Sequence, residues 1–194
     1  MAHETRKANS RRRTDGYFDR VFRGYGIDIG CGDDPVTSDC VKWDMAQGDG
    51  QELTGLEASN FDWVYSSHCL EHLASPSRAL TRWWEVLNPG GYLMFVVPDE
   101  DLYEQGCWPS RFNSGHRWTF TVSKSSSWSP VSLNIADLVA ALPNRRVLWI
   151  RTCDDGYVYS GGIWDRTAGP AEANIEVLLQ KLPSDSPLLR PHRS

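Results

Sequence analysis

Short apolar runs alternate with helical repeats along the chain. The runs of strand length cover residues 26–30, 41–44 and 61–66. A helix is predicted to begin at Ser75-Pro76, because serine is a favoured N-cap and proline fits the first turn. Apolar residues then repeat at helical spacing, at Leu80, Trp83, Trp84 and Leu87. Strands that alternate with helices predict βαβ units and a mostly parallel sheet.

The second half of the chain continues the alternation around one irregular stretch. A near-continuous apolar run at 92–97 predicts a strand covered on both faces. Residues 105–130 have little periodicity, and they predict a long loop of the kind that is often functional. A helix is predicted over 135–142, and late strands over 147–150 and 175–179.

Length and charge define the domain organisation. The 194 residues suit one domain that needs no disulfides. We predict this domain over 16–183, between a basic flexible tail at 1–15 and a loose tail at 184–194. The basic tail is expected to be a solvated arm, or else a hook for an anionic partner. The net charge of −5 disfavours a nucleic-acid acceptor.

Cysteine usage and hydropathy bear on location. The five cysteines are odd in number and form no C-x-x-C pair, which fits a reducing compartment. The basic N-terminus is not followed by an apolar segment, so no signal peptide is predicted. No apolar run is long enough to span a membrane. A cytoplasmic protein is therefore expected.

The first candidate site is the turn after the first predicted strand. Residues 26–35 read GIDIGCGDDP, and such glycines let a backbone approach a ligand closely. A dinucleotide motif would have a third glycine where Pro35 stands, and Asp33 and Asp34 would repel a pyrophosphate. S-adenosylmethionine (SAM) carries cationic amino and sulfonium groups instead, so an acidic turn suits it.

Two more acidic positions follow the second predicted strand. Asp44 is placed to accept both hydroxyls of a ribose, and Met45 to lie against an adenine ring. Asp49, beside Gly50, is placed to bind the adenine amino group. A helix N-cap at Asp44 and a simple turn at Asp49-Gly50 explain these residues equally well.

Taken in order, these segments resemble successive motifs of class I SAM-dependent methyltransferases. The likeness is greatest to the subgroup that includes the ubiquinone and menaquinone biosynthesis enzymes, and it covers residues 24–100. The segments that carry it are 26–32, Asp44, Asp49-Gly50, 61–73 and 86–93.

The resemblance implies an α/β fold with a single Rossmann-like domain. The sheet would have seven strands, mostly parallel, with an antiparallel last strand at 175–181 and helices on both faces. Asp44 and Asp49 are only five residues apart, which leaves no room for the usual helix and third strand between them. We therefore predict a sheet trimmed at its β2-β3 edge.

The resemblance also assigns the cofactor site. The methionine end would be lined by Asp28, Gly30, Cys31 and Gly32. The ribose would be bound by Asp44, and the adenine by Met45, Asp49 and Gly50. The methyl group would lie beside Ser66, Ser67 and His68.

One pattern suggests a metal site instead. His68, Glu71 and His72 match H-x-x-E-H, an inverted zinc-peptidase motif. A short strand leads straight into His68, and the strand after Pro89-Gly90-Gly91 follows at methyltransferase spacing. This context favours the methyltransferase interpretation, and no bound metal is predicted.

The predicted reaction is transfer of a methyl group from SAM to an oxygen or nitrogen atom, with S-adenosylhomocysteine (SAH) as product. The acceptor is predicted to be small and polar, such as a sugar or a glycan-linked group, because segment 111–118 offers aromatic faces and cations. A hydroxyl acceptor needs a base, for which His116, His68 and Tyr17 are the candidates.

Three alternatives remain open at this stage. A quinone-like or aromatic acceptor is disfavoured by the polar character of 105–130. A SAM-binding scaffold without activity shares the same motifs, because a fold does not define a function. A nucleic-acid or protein methyltransferase recruited by the basic arm is disfavoured by the acidic body, and residues 66–69 lack the D/N-P-P-Y/F/W motif of DNA amino-methyltransferases.

Overall fold

A computed structural model of the chain describes residues 4–122 and 124–189. The strands, in chain order, are β1 (Gly26–Ile29), β2 (Val41–Trp43), β3 (Phe61–Ser67), β4 (Leu87–Pro98), β5 (Thr119–Thr121), β6 (Ser132–Asn134), β7 (Arg145–Cys153) and β8 (Asn174–Lys181). The helices are α1 (Glu4–Thr14), α2 (Phe18–Val21), α3 (Pro76–Val86) and α4 (Ile135–Ala140). Short helical turns lie between these elements.

In the described part of the chain, the main sheet has six strands in the order β2-β1-β3-β4-β8-β7. Only β8 is antiparallel to its neighbours, β4 and β7, which confirms the predicted antiparallel last strand. The chain passes from β1 to β2 on one side and then to β3 on the other. The strand order therefore reverses at β1, and a crevice opens there at the carboxyl ends of the strands.

The trimmed edge of the sheet is confirmed, and the predicted number of seven strands was wrong by one. The structure places β2 at the edge, and residues 44–60 form turns and bends in place of the helix and third strand that the resemblance implied. The physical reason is chain length. A helical crossover to another parallel strand needs about a dozen residues. Residues 44–60 must also connect β2 to β3, so they are too few to form an additional helix and strand.

Helices cover both faces of the sheet. On one face α3 and α4 pack against Ile27, Ile29 and Val64, which belong to the larger apolar core. On the other face α2 packs against Trp63, Tyr65 and Met94. Successive strand residues point to opposite faces, so neighbours in β3 belong to different cores.

Helix α3 begins where Ser75-Pro76 predicts, but the strand after it begins earlier than expected. The predicted break at 88–91 is part of β4, which starts at Leu87. Gly91 lies so close to β3 that a Cβ would stand 2.6 Å from the Asp62 carbonyl oxygen. The glycine therefore brings two strands together rather than separating a helix from a strand.

The predicted basic tail was wrong over its described residues. Residues 4–14 form α1, and the side chain of Arg12 is completely buried. Arg12 Nε donates to Glu176 Oε2 over 2.9 Å, and Arg11 Nη2 donates to Glu172 Oε2 over 2.8 Å. The carboxylates of Glu176 on β8 and Glu172 beside it need cations, and helix α1 provides them.

The remaining predictions concern the two tails, the loop at 105–130 and membrane-spanning segments. Residues 1–3 and 190–194 of the two tails lie outside the described residues, while 187–189 form a helical turn. The predicted loop at 105–130 contains β5, which pairs with β6 in parallel. Among the described residues, no helix has the length and apolar character needed to cross a membrane.

Candidate active site

A cavity of about 990 Å³ opens at the carboxyl ends of β1, β2 and β3. Three loops form most of its wall, one after each strand, and the start of α1 closes one side. The lining residues are Glu4, Thr5, Gly30, Cys31, Gly32, Asp33, Asp34, Trp43, Asp44, Met45, Gly48, Asp49, Gly50, Ser67, His68, Cys69, His72 and Leu73. The cavity thus occupies the point where the strand order reverses.

The turn after β1 brings backbone into the cavity. Gly30 has a φ of +77°, and a Cβ there would stand 2.7 Å from both Cβ and Sγ of Cys69. Glycine is required on both counts, because L-residues disfavour this φ and the space is already filled. The Gly30 amide donates to the Trp43 carbonyl over 2.7 Å, which ties the turn to β2.

Asp44 connects the first two loops. Its Oδ2 accepts a hydrogen bond from the Gly32 amide and its Oδ1 one from the Met45 amide, both over 2.7 Å. An ionised carboxylate has about four acceptor positions, so both oxygens keep one for a ligand. Met45 is 91% exposed and lies in the cavity wall.

Asp49 and Gly50 both line the cavity, and their backbone is held firmly. Asp49 Oδ1 accepts a hydrogen bond from the Gln51 amide over 2.8 Å, which is the turn contact that the alternative interpretation anticipated. The Gly50 carbonyl accepts a hydrogen bond from Trp83 Nε1 over 2.7 Å. Helix α3 therefore fixes the position of this loop.

The link between Trp83 and Gly50 allows a matched test. Trp83→Phe leaves the Gly50 carbonyl without its donor, so we expect a loss of about 1–3 kcal/mol in unfolding free energy and a weakening of SAH binding of about tenfold. Trp84 Nε1 donates in the same way to the Pro143 carbonyl, away from the cavity. Urea unfolding and calorimetric titration of both variants check this. Equal SAH affinity in Trp83→Phe and Trp84→Phe would contradict it.

The end of β3 contributes two of its three predicted residues to the cavity. Ser67 and His68 line the wall, whereas Ser66 is buried and donates to the Ile29 carbonyl over 2.9 Å. His68 has a φ of +52°, and its Nδ1 lies 3.4 Å from Glu71 Oε1. Although burial opposes protonation, the Glu71 carboxylate raises the pKa of His68 above its ordinary value.

Two predicted site residues lie on the opposite face of the sheet. Asp28 alternates with Ile27 and Ile29 and so points away from α3, where its Oδ2 accepts from the Val36 amide over 2.7 Å. Burial raises the pKa of Asp28 to about 7. Tyr17 donates to Glu176 Oε1 over 3.0 Å. Neither side chain lines the cavity, so Asp28 shapes the turn and Tyr17 belongs to the α1–β8 contact.

His116 lies behind the cavity wall rather than in it. Its side chain is only 2% exposed, and its Nδ1 lies 2.7 Å from Glu104 Oε1. It reaches the cavity through His72, whose ring centroid is 5.0 Å away. The predicted acceptor segment 111–118 contributes none of the residues that line the cavity.

His72 is one of several cavity residues that the sequence-based prediction of the site omitted. It lies in segment 61–73 of the resemblance and in the H-x-x-E-H pattern, and neither gave it a role in the site. That pattern pairs His72 with His68, whereas the folded chain pairs it with His116, a residue 44 positions away. The spacing of residues along the chain does not predict this contact.

The cavity wall carries a strongly acidic set of side chains. Its carboxylates are Glu4, Asp33, Asp34, Asp44 and Asp49. Some of this charge is offset, since Arg6 Nη2 lies 2.9 Å from Asp34 Oδ1. The wall still favours a ligand with cationic groups, and the open acceptor positions of Asp44 suit vicinal hydroxyls. Both features fit SAM.

Comparison with known proteins agrees with this geometry. Residues 14–95 match the sequence model of the methyltransferase domain family. The fold, the glycine turn at the reversal point and this match are together those of class I SAM-dependent methyltransferases. The matched segment is an S-adenosylmethionine-dependent methyltransferase domain, and SAM is its cofactor. No curated protein sequence matches the chain.

Solved structures share the whole fold at low sequence identity. A SAM-dependent methyltransferase from Archaeoglobus fulgidus is 14% identical, with a TM-score of 0.53 over 91% of this chain and 94% of its own. A putative sarcosine dimethylglycine methyltransferase from Galdieria sulphuraria is 10% identical, with a TM-score of 0.57 over 91% and 86%.

A third similar structure is a complex. A chain of the complex between the Haloferax volcanii Trm112 methyltransferase activator and a putative methyltransferase is 12% identical, with a TM-score of 0.55 over 95% and 98%. At these identities the likeness concerns the fold alone.

Proposed function

We propose that the protein transfers the methyl group of SAM to an oxygen or nitrogen atom of a small polar acceptor, such as a sugar or a glycan-linked group. The observation that carries this proposal is a group of polar side chains beside the cofactor loops. Ser67, His68 and His72 face the same cavity as Gly30 and Asp44, and Thr5 of α1 closes it. An acceptor bound there meets these hydrogen-bonding groups beside the apolar side chains of Cys69 and Leu73.

The residues of the chain divide the work between holding the cofactor and placing the acceptor. Asp44 would accept the ribose hydroxyls, while Asp49 and Gly50 would bind the adenine. The turn at Gly30, Cys31 and Gly32 would hold the methionine end close to the backbone. When bound, SAM supplies the methyl group, which leaves its sulfonium for the acceptor atom and yields SAH. The protein mainly contributes alignment of the reacting atoms.

His68 is the candidate base for a hydroxyl acceptor. Of the three candidates from the sequence, it alone lines the cavity. Its contact with Glu71 would hold the ring in place while the acceptor proton moves to the histidine. His116 would act through His72 and is therefore a positioning residue.

The contacts of α1 support a small acceptor over a polyanion. Arg11 and Arg12, the centre of the basic segment, form ion pairs with Glu172 and Glu176 inside the protein. Their charge is used for folding and is not displayed to an anionic partner. This argues against recruitment of nucleic acid through the N-terminal segment.

The cofactor assignment is tested by titrating SAH into wild type, Asp44→Ala and Asp39→Ala. Asp44→Ala removes the ribose acceptor and two bonds that shape the loops, so SAH affinity should fall about 30-fold. Asp39 is exposed, is not part of the cavity wall and should have no effect beyond about twofold. Equal affinity for all three proteins would overturn the assignment.

The acceptor is tested separately with radiolabelled SAM. We expect label transfer to polar hydroxylated or amine-bearing small molecules and none to RNA or DNA. The enzyme should lose turnover in His68→Ala while SAH affinity falls only slightly. Labelling of an apolar quinone-like compound in preference to polar acceptors would contradict the proposal.

A further inference from the structure

We propose that Glu71, His72 and His116 form a binding site for a divalent transition-metal cation in the cavity wall. One ligand atom from each residue lies within 4.8 Å of the other two. The site is distinct from the cofactor loops, and it departs from the sequence-based expectation of no metal. It also differs from the H-x-x-E-H motif, because His116 takes the place of His68.

Two of the three distances between the ligand atoms are close to those of a metal site. Glu71 Oε1 lies 3.8 Å from His116 Nε2 and 4.0 Å from His72 Nε2. Ligands held about 2 Å from one zinc ion stand about 3.4 Å apart in a tetrahedral site. Each of these contacts therefore shortens by about half an ångström when an ion binds.

Glu71 supplies the strongest reason for a cation at this place. Its side chain is completely buried, and among the described residues neither carboxylate oxygen has a hydrogen-bond partner. His68 Nδ1, at 3.4 Å, attracts the charge without making a hydrogen bond. A buried carboxylate without hydrogen bonds is costly, and a coordinated metal ion removes that cost.

The two histidines are already oriented as metal ligands. His72 Nδ1 lies 2.9 Å from the Gly115 carbonyl, which can only accept, so Nδ1 carries the proton. His116 Nδ1 lies 2.7 Å from Glu104 Oε1, which accepts from it in the same way. In the neutral ring, each Nε2 then has its lone pair free for a metal. A carboxylate or carbonyl on the second ring nitrogen is the usual support of a metal-bound histidine.

The donor set indicates the class of ion. Two imidazoles and one carboxylate match catalytic zinc sites and the facial sites of non-haem iron, which keep positions open for another ligand. Magnesium and calcium prefer oxygen ligands and fit this set poorly. His72 is 35% exposed and lines the cavity, so the open positions face it. If the proposed function holds, an oxygen or nitrogen atom of the acceptor would occupy one of them.

The test uses full-length, untagged protein stripped of metal with a chelator. Calorimetric titration with Zn²⁺ should give one site with a Kd of about 1 μM or tighter. Co²⁺ should produce visible absorption bands of a low-symmetry site, and Mg²⁺ should give no comparable binding. None of these readouts requires SAM or an acceptor, so they are independent of the proposed function.

Matched variants identify the ligands. Glu71→Gln, His72→Asn and His116→Gln should each weaken Zn²⁺ binding about 100-fold or more. His68→Gln changes a neighbouring histidine outside the set and should leave the affinity within about threefold. His72 is partly exposed, so His72→Asn keeps the test valid if a buried variant fails to fold.

Three results would overturn the metal site. One is the absence of Zn²⁺ and Co²⁺ binding to folded wild type, and another is unchanged binding in the His72→Asn variant. Loss of binding in His68→Gln with full binding in His116→Gln would also overturn it, in favour of the sequence motif. SAH titration of the metal-free protein reports on the cofactor site alone. Failure of the proposed function and failure of the metal site are therefore measured separately.

Discussion

Replacing Gly30 by alanine should lower the affinity for SAH by about 100-fold or more. The added Cβ would stand 2.7 Å from Cβ and Sγ of Cys69, and residue 30 has a φ of +77°. Relief of that clash must move the turn or the loop after β3, and both line the cavity. The measurement is calorimetric titration of wild type and variant with SAH at equal protein concentration.

Gly16 provides the control for backbone strain. It has a φ of +74°, and no heavy atom would lie within 4 Å of a Cβ added there. Gly16→Ala therefore introduces comparable strain, of about 1 kcal/mol, outside the cavity. We expect Gly16→Ala to keep its SAH affinity. A similar loss in both variants would assign the effect to global stability, and no loss in Gly30→Ala would remove the turn from the cofactor site.

The second large effect is expected at Glu176. Its carboxylate is completely buried and accepts hydrogen bonds from Arg11, Arg12, Tyr17 and Arg151. Glu176→Gln leaves the buried Arg12 guanidinium without its counter-charge. We expect the free energy of unfolding to fall by about 3–5 kcal/mol, the usual cost of breaking a buried pair.

The pH dependence of stability should identify the same group. Burial opposes ionisation of Glu176, but Arg12 and Arg11 more than offset it and lower its pKa from 4.5 to about 2. A carboxyl with a depressed folded pKa stabilises the protein above the unfolded value. This stabilisation is complete above about pH 4.5 and is lost as the pH falls towards 2. Urea unfolding between pH 3 and 7 should therefore show a smaller slope in Glu176→Gln.

An exposed pair provides the control for Glu176. Glu85 Oε2 lies 3.2 Å from Arg82 Nη1, and the Glu85 side chain is 54% exposed. Glu85→Gln should change stability by about 0.5 kcal/mol or less, because solvent screens such pairs. Equal effects of the two substitutions would show that α1 is not anchored through Glu176.

The fold was largely predictable because its signals are local. The apolar runs that became β1, β3 and β8, and the serine-proline start of α3, each appear within a few neighbouring residues. The short distance from Asp44 to Asp49 was enough to predict the trimmed edge. Local signals missed α1. Its arginines bind Glu172 and Glu176, which are distant in sequence, and these contacts hold the helix against the protein.

The candidate site was predictable in part, for a similar reason. Motif position placed Gly30, Gly32, Asp44, Asp49 and His68 at loops that all meet at one edge of the sheet. The same reasoning failed for Asp28 and Ser66, which lie on strands, where alternation and neighbouring backbone decide which way a side chain points. It also failed for Tyr17, whose hydroxyl donates to a carboxylate on β8.

The sequence by itself determined most of the order of elements, the class of fold and the loops that line the cavity, because glycine turns and apolar periodicity act over short distances. Only the tertiary structure decided which distant groups meet. Arg12 reaches Glu176 across 164 positions, and His116 reaches Glu71 and His72 across more than 40. Such contacts depend on how the strands are ordered and how the helices pack. No local pattern encodes them, and they include both the anchor of α1 and the proposed metal site.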